Sequence, residues 1–242
     1  TAIVGSTYTL AYVTDDAFNG DASPCELVDG SYSQAPATFK RFYSSITNWE
    51  AGLDDSEVYA SSDVAVGECH NDSVFNETVT INGGTSVGLA SVTLSVHSGS
   101  RHEGTAGTGA RMVPSGSISD GIVTISRDDV TLEWLEISGA SATSGGKYGV
   151  RILSSGSTDV YVRNNIIHDI TASSTTSAGV VISSTGTSRY VMNNFIYAVE
   201  SASGTHSVYG IRAYTSGSGA GIYCNTIFNI TTSAGAANGI VV

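Results

Sequence analysis

The chain has 242 residues, 28 of them Gly and only 3 Pro, with 13% charged residues and a formal net charge of −12. A charged fraction near half the usual quarter excludes coiled coils and long solvent-bridged helices, and the Ser, Thr and Gly that replace it suit strands and turns. With 10 Lys and Arg spread thinly there is no electrostatic basis for a nucleic-acid groove, and no run of about 18 apolar residues exists to span a membrane.

Residues 1–37 are irregular apart from Tyr8–Val13, which alternates like a strand. Asp15, Asp16, Asn19, Asp21 and Asp29 crowd one loop, but their spacing misses the EF-hand pattern. The first four form a weak Ca²⁺ candidate, and no other cofactor is expected. Cys25 and Cys69 lie in this non-repetitive region and form a candidate disulfide outside the cell. Cys224 falls inside a repeat and reads as a small buried hydrophobe. Tyr43–Leu53 reads as a short amphipathic helix with Ser44 or Ser45 as N-cap and Ile46, Trp49 and Leu53 on one face. Its place just before a solenoid suits a cap. Cys69-His70 has no second pair at zinc spacing. Asn71, Asn76 and Asn229 match the glycosylation acceptor triplet, which matters only in an exported chain.

The second half repeats. Segments opening at Gly149, Gly179, Gly210 and Gly239 read G-[IV]-x-[IV], at steps of 30, 31 and 29 residues. A second track, Val162-Arg-Asn-Asn165-Ile-Ile167, Val191-Met-Asn-Asn194-Phe-Ile196 and Ile222-Tyr-Cys-Asn225-Thr-Ile227, runs in phase with it. Leu132–Ile137 takes the same slot one coil earlier, with Leu135 where the others carry Asn. Two tracks sharing one period point to stacked β coils, each strand bonding its equivalents about 4.8 Å above and below. Val150/Val180/Ile211/Ile240, Val162/Val191/Ile222 and Ile167/Ile196/Ile227 form core columns. Asn165, Asn194 and Asn225 form a ladder at a turn, where Asn tolerates the left-handed backbone and stacked amides can bond along the axis. The fold expected is all-β, a parallel β-helix with coils of about 30 residues over 75–242, preceded by an N-terminal strand, irregular segment and capping helix over 1–74.

These V-x-N-N-x-I units and G-[IV]-x-[IV] openings resemble the repeats of right-handed parallel β-helix proteins, the pectate-lyase-like superfamily, over roughly residues 75–242. Ser45-Ile-Thr-Asn-Trp-Glu-Ala51 followed by Val64–Cys69 is similar to the start of bacterial and viral surface β-helix proteins of unassigned function. The resemblance implies a fold rather than an activity, because the same solenoid carries lyases, hydrolases, tailspikes, adhesins and inert structural proteins.

Catalytic members of that superfamily group carboxylates on one outer face with an Arg or Lys as base. Asp128, Asp129 and Glu133, with Arg151 or Arg163 as base or binder, are the corresponding candidates here, set against a solvated turn. Arg151 and Arg212 share an outward column two coils apart with Val181 between them. They read as surface ion-pairing ahead of a binding site for an anionic polysaccharide. Adjacent strand residues face opposite ways, so His168-Asp169 does not read as a catalytic pair. His168, Tyr197 and Phe228 read instead as an aromatic stack, either packing or a sugar-binding ridge. No G-x-S-x-G, P-loop or dinucleotide fingerprint is present.

The sequence stops at Gly239-Ile-Val-Val242, partway through a coil. That expects truncation of a longer protein, docking onto another subunit, or completion by the Tyr8–Val13 strand of a neighbour. Association is preferred, with Tyr8, Leu10, Tyr12, Gly239, Ile240, Val241 and Val242 at the contact. The leading reading is therefore a non-enzymatic, extracellular or cell- or virion-surface structural or adhesive element that stacks head to tail with copies of itself and can contact glycans. The alternative is a polysaccharide lyase, hydrolase or tailspike-like depolymerase. Passive carbohydrate or ice binding ranks last, because the Ser and Thr lie mainly in turns of unequal length.

Overall fold

The computed structural model describes residues 3–4, 7–8 and 43–242, apart from 117, 119, 140, 143–145, 157, 174, 185, 203–204 and 215–218. The chain divides into two compact units, Thr1–Phe42 and Tyr43–Val242. In the first, β1 (Ile3–Val4) pairs antiparallel with β2 (Thr7–Tyr8). The remainder of the expected Tyr8–Val13 strand lies outside the described residues.

The second unit opens with α1 (Ile46–Ala51) and a 3₁₀ turn over Gly52–Asp54. Ser45 is the N-cap, its Oγ accepting from Asn48 N–H at 3.0 Å. The Glu77 carboxylate accepts from the N–H groups of Ile46 and Thr47, both at 2.9 Å, and so satisfies free donors at the positive end of the helix. Ile46, Trp49 and Leu53 are buried on one side. Glu50 in turn accepts from the Asn82 and Gly83 N–H groups, and Asp54 from Gly84 N–H. The helix is thereby stitched to the first coil.

The coils follow, three strands to each. The first has β3 (Val64–Cys69), β4 (Val74–Phe75) and β5 (Val79–Ile81); the second β6 (Ser91–Val96), β7 (Arg111–Met112) and β8 (Gly121–Ile125). The third has β9 (Val130–Glu133), β10 (Glu136–Ser138), a short β11 (Ser141–Ala142) and β12 (Lys147–Ile152). The fourth has β13 (Val160–Arg163), β14 (Ile166–Ala172) and β15 (Ser177–Ile182), and the fifth β16 (Arg189–Met192), β17 (Phe195–Ser201) and β18 (Val208–Ala213). The sixth has β19 (Ala220–Tyr223), β20 (Thr226–Thr232) and β21 (Ala237–Val241).

Equivalent strands pair in parallel into three sheets: β3-β6-β9-β13-β16-β19, β4-β7-β10-β14-β17-β20 with β11 beside β14, and β5-β8-β12-β15-β18-β21. This is a nearly all-β parallel solenoid with one short helix at its start. The core is made of like residues in register, such as Val123/Val150/Val180/Ile211, Leu94/Leu132/Val162/Val191 and Met112/Ile137/Ile167/Ile196, all buried. Placing each apolar side chain on its own kind above and below is what one coil alone cannot do.

The repeated glycine has a packing cause. A Cβ on Gly149 would fall 2.4 Å from Ile167 Cγ2 and 2.7 Å from Gly179 O, and Gly179 and Gly210 meet Ile196 and Ile227 in the same way. The third sheet thus runs with its backbone against the isoleucine column of the second. The coil step is uneven near the start, 27 residues from Gly67 to Leu94, and regular from the third coil onward. Leu94 to Leu132 is 38 residues, against 30, 29 and 31 for the next three steps of the column. The excess comes from the insertion 97–110 between β6 and β7, which contacts Trp134, Asn164 and Glu136 where the first sheet turns into the second.

Candidate functional site

The turn between the first and second sheets carries the asparagine ladder. Oδ1 of Asn194 accepts from Asn165 N–H and Asn165 Nδ2, both at 3.0 Å, and Asn225 Oδ1 does the same for Asn194. Nδ2 of Asn165, Asn194 and Asn225 also donates to the carbonyls of Leu132, Val162 and Val191. Leu135 N–H closes the series on Asn165 Oδ1. The left-handed residues are Trp134, Asn164, Asn193 and Cys224, with φ between 52° and 64°, each just before the ladder position. The two Asn of the motif therefore divide the work, the first taking the strained backbone and the second the bonds. This position also corrects the reading of Cys224, which is exposed rather than buried.

The acidic and basic candidates are dispersed. Asp128, in the turn before β9, pairs with Arg189 Nη2 at 2.8 Å. Asp129 has φ 56° and accepts from Thr158 Oγ1 at 3.0 Å. Glu133 accepts from Ser95 Oγ at 2.9 Å and from Arg163 Nε at 2.8 Å on the outside of the first sheet. Arg151 lies on the third sheet, ion-paired with Asp120. Of this set the structure brings Glu133 and Arg163 into contact and engages each other member elsewhere.

Sequence reading missed Arg189. It sits in an inward column between Val160 and Ala220 with no exposed area. Its Nη atoms donate to the carbonyls of Ser154, Gly156, Thr158 and Thr187 as well as to Asp128. The Nη groups of one planar guanidinium thereby tie together the turns of three successive coils.

The outer face of the third sheet is a mixed aromatic and basic surface. Tyr148, Ala178 and Tyr209 form one column, and Arg151, Val181 and Arg212 the next. Ala178 and Val181 are fully buried beneath the tyrosines. Arg212 lies against two rings, 4.4 Å from the Tyr209 centroid and 3.8 Å from that of Tyr214, which is 48% exposed. Arg212 is a further residue whose surroundings the sequence did not disclose. Among the described residues no carboxylate pairs with it, whereas Arg151, two strands away, is neutralised by Asp120.

On the second sheet His168, Tyr197 and Phe228 stack, with centroids 4.9 and 5.0 Å apart and planes within 10°. Phe195 meets Tyr197 and Phe228 edge-on. His168 is also bonded to two carboxylates, Nε2 to Glu136 Oε1 at 3.1 Å and Nδ1 to Asp169 Oδ2 at 2.8 Å. The alternation argument that parted His168 from Asp169 fails because Asp169 has φ 52°, a break repeated at Ala198 and Asn229 in the next coils. Burial acts to lower the His168 pKa, but its bonds to the two carboxylates outweigh burial and hold it above its ordinary value. Glu136 is displaced downward, its bonds from His168 and Gly107 prevailing over burial. On the outside of the first sheet Tyr161 and Tyr190 stack at 4.9 Å, with Arg163 over Tyr161.

Cys69 is buried, and its proposed partner Cys25 lies outside the described residues. So do the acidic loop residues Asp15, Asp16, Asn19 and Asp21, and Leu10 and Tyr12 of the proposed contact. Gly239, Ile240, Val241 and Val242 are exposed on the sixth coil, and Asn71, Asn76 and Asn229 are exposed as well. No group of three His, Cys, Asp or Glu among the described residues is arranged to hold a metal ion. No helix of the described residues is long and apolar enough to cross a membrane. No family model matches the chain, and no curated protein or solved structure matches it either.

Proposed function

We propose that the chain is the rod of an extracellular structural or adhesive protein, which holds acidic glycans on the outer face of its third sheet and stacks end to end with copies of itself. The observation that carries the reading is the state of the arginines. Those of the candidate catalytic set are closed on carboxylates, whereas Arg212 rests against Tyr209 and Tyr214 without one among the described residues. A guanidinium held against aromatic rings and not closed on a carboxylate keeps N–H donors for an incoming carboxylate or sulfate, and the neighbouring rings suit sugar C–H groups. The likeness of the repeats to the pectate-lyase-like superfamily fits, since that solenoid also carries adhesins and structural proteins.

Titration calorimetry with uronate-containing, sulfated and neutral oligosaccharides tests the glycan part. Acidic ligands should bind, and Arg212→Ala should weaken them about tenfold or more. Equal binding of neutral ligands, or an unchanged affinity in the variant, would overturn it. The stacking part draws on the parallel, in-register pairing of equivalent strands from coil to coil, a pairing that copies of the chain would continue. Electron microscopy with light-scattering mass should show end-to-end fibres, and a discrete monomer at high concentration counts against them.

The second reading, a glycan-cleaving enzyme, draws on one observation, the contact of Glu133 with Arg163 on the outside of the first sheet. Glycan cleavage that Glu133→Gln abolishes with the fold intact would establish it.

A further inference from the structure

His168 stands between two carboxylates, Glu136 and Asp169. A neutral imidazole has one N–H, yet both ring nitrogens of His168 face carboxylate oxygens, so both bonds are satisfied only by the imidazolium. Its bond to Glu136 reaches further than the pair. Glu136 is 3% exposed, and its other oxygen accepts from Gly107 N–H of the insertion 97–110. The same insertion lays Arg101 over the Trp134 ring at 4.7 Å and sets His102 against it at 5.8 Å. His102 accepts at Nδ1 from Gly104 N–H and so donates from Nε2 to Asn164 O, which is the neutral tautomer. Burial keeps it neutral by lowering its pKa.

We propose that His168, Glu136 and Asp169 form a proton-operated clasp that holds the insertion over Trp134 and loosens it when His168 loses its proton. The ionisable groups facing His168 are Asp169 on its own strand, Glu136 on β10 and Tyr197 on β17. Arg111 on β7 and His102 on the insertion face Glu136 in turn. Loss of the proton leaves a lone pair of His168 against an anionic oxygen and two carboxylates without their shared cation. Glu136, the buried one, then turns toward water and lets go of Gly107. The clasp is closed wherever Glu136 is ionised and His168 charged. It opens as pH rises through the raised value of His168, and again when strong acid protonates Glu136.

The test is a titration of the His168 imidazole by nuclear magnetic resonance, with hydrogen exchange of the insertion followed in parallel and corrected for the chemical rate. His168 should titrate above its ordinary value. Exchange at residues 103–108 should rise about threefold or more through the same midpoint, while the Asn165 and Asn194 amides stay protected. Glu136→Gln should lower the midpoint and move the exchange transition with it. His168→Phe, an aromatic change in a column that already carries Tyr197 and Phe228, should leave the insertion open at every pH. A midpoint at or below the ordinary value, a pH-independent insertion, or a rise shared equally by the ladder amides would each overturn the proposal.

Discussion

Asn194 accepts through a single oxygen, Oδ1, from both the backbone N–H and the side-chain Nδ2 of Asn165, each at 3.0 Å. The ladder is thus a hydrogen-bond column that satisfies main-chain donors and carbonyls inside a turn where no strand can. Asn194→Ala should strand Asn165 N–H and Val162 O in a buried site, costing roughly 3 kcal/mol. Urea unfolding would show it as a lower midpoint at unchanged slope, and a loss under about 0.5 kcal/mol would argue against the column as a source of stability.

The glycine column makes an opposite kind of demand, for absence of volume. Gly179→Ala would set a methyl 2.4 Å from Ile196 Cγ2, and the strand must retreat from the core to relieve it. A cost of about 1–3 kcal/mol is expected from overpacking. Gly104→Ala, at φ 79° with open space around it, should act through local backbone strain alone. Thermal melts of the two variants separate these causes.

Arg189 holds the corner of three coils. Arg189→Ala leaves Asp128 unpaired and four carbonyls without their donor, and a loss of roughly 3–5 kcal/mol is expected. Arg189→Lys keeps the charge but cannot reach five acceptors with one ammonium, so its unfolding midpoint should fall between wild type and Ala. A Lys variant as stable as wild type would show that charge, and not the fork, is what the site requires.

Stability should also depend on pH in a direction set by His168 and Glu136. Because the folded pKa of His168 is raised, its contribution is full below the ordinary imidazole value and fades as pH climbs through the raised one. Because that of Glu136 is lowered, its contribution is full above the ordinary carboxylate value and fades as pH drops through the depressed one. Denaturation midpoints should fall on the alkaline side of neutrality, and His168→Phe should flatten that limb. An alkaline limb identical in the variant would assign it to other groups.

The solenoid was legible because parallel, in-register stacking gives residues about 30 apart the same surroundings. Val150, Val180 and Ile211 look alike in sequence because they touch one another. What was not legible depends on neighbours rather than period. Arg189 occupies a slot where Val160 sits one coil earlier, and no pattern announces that carbonyls of several turns converge there. The His168–Asp169 bond was hidden by an alternation rule that the left-handed Asp169 breaks. The repeat of that break, at the fourth residue past each ladder asparagine, becomes readable only once the ladder is placed. Asp128, Glu133 and Arg151 are near in sequence yet engaged at three separate places, because a turn and two different sheets intervene.

On our proposal this solenoid binds acidic glycans without cutting them, through Arg212 beside Tyr209 and Tyr214. The most direct measurement incubates wild type and Arg212→Ala with a uronate or sulfated polysaccharide, reading retention on the immobilised polymer and release of new chain ends from the same sample. Salt-sensitive retention by the wild type, its loss in the variant and no new ends are the results expected. New chain ends, or retention that Arg212→Ala leaves unchanged, would rule out non-cleaving binding through Arg212.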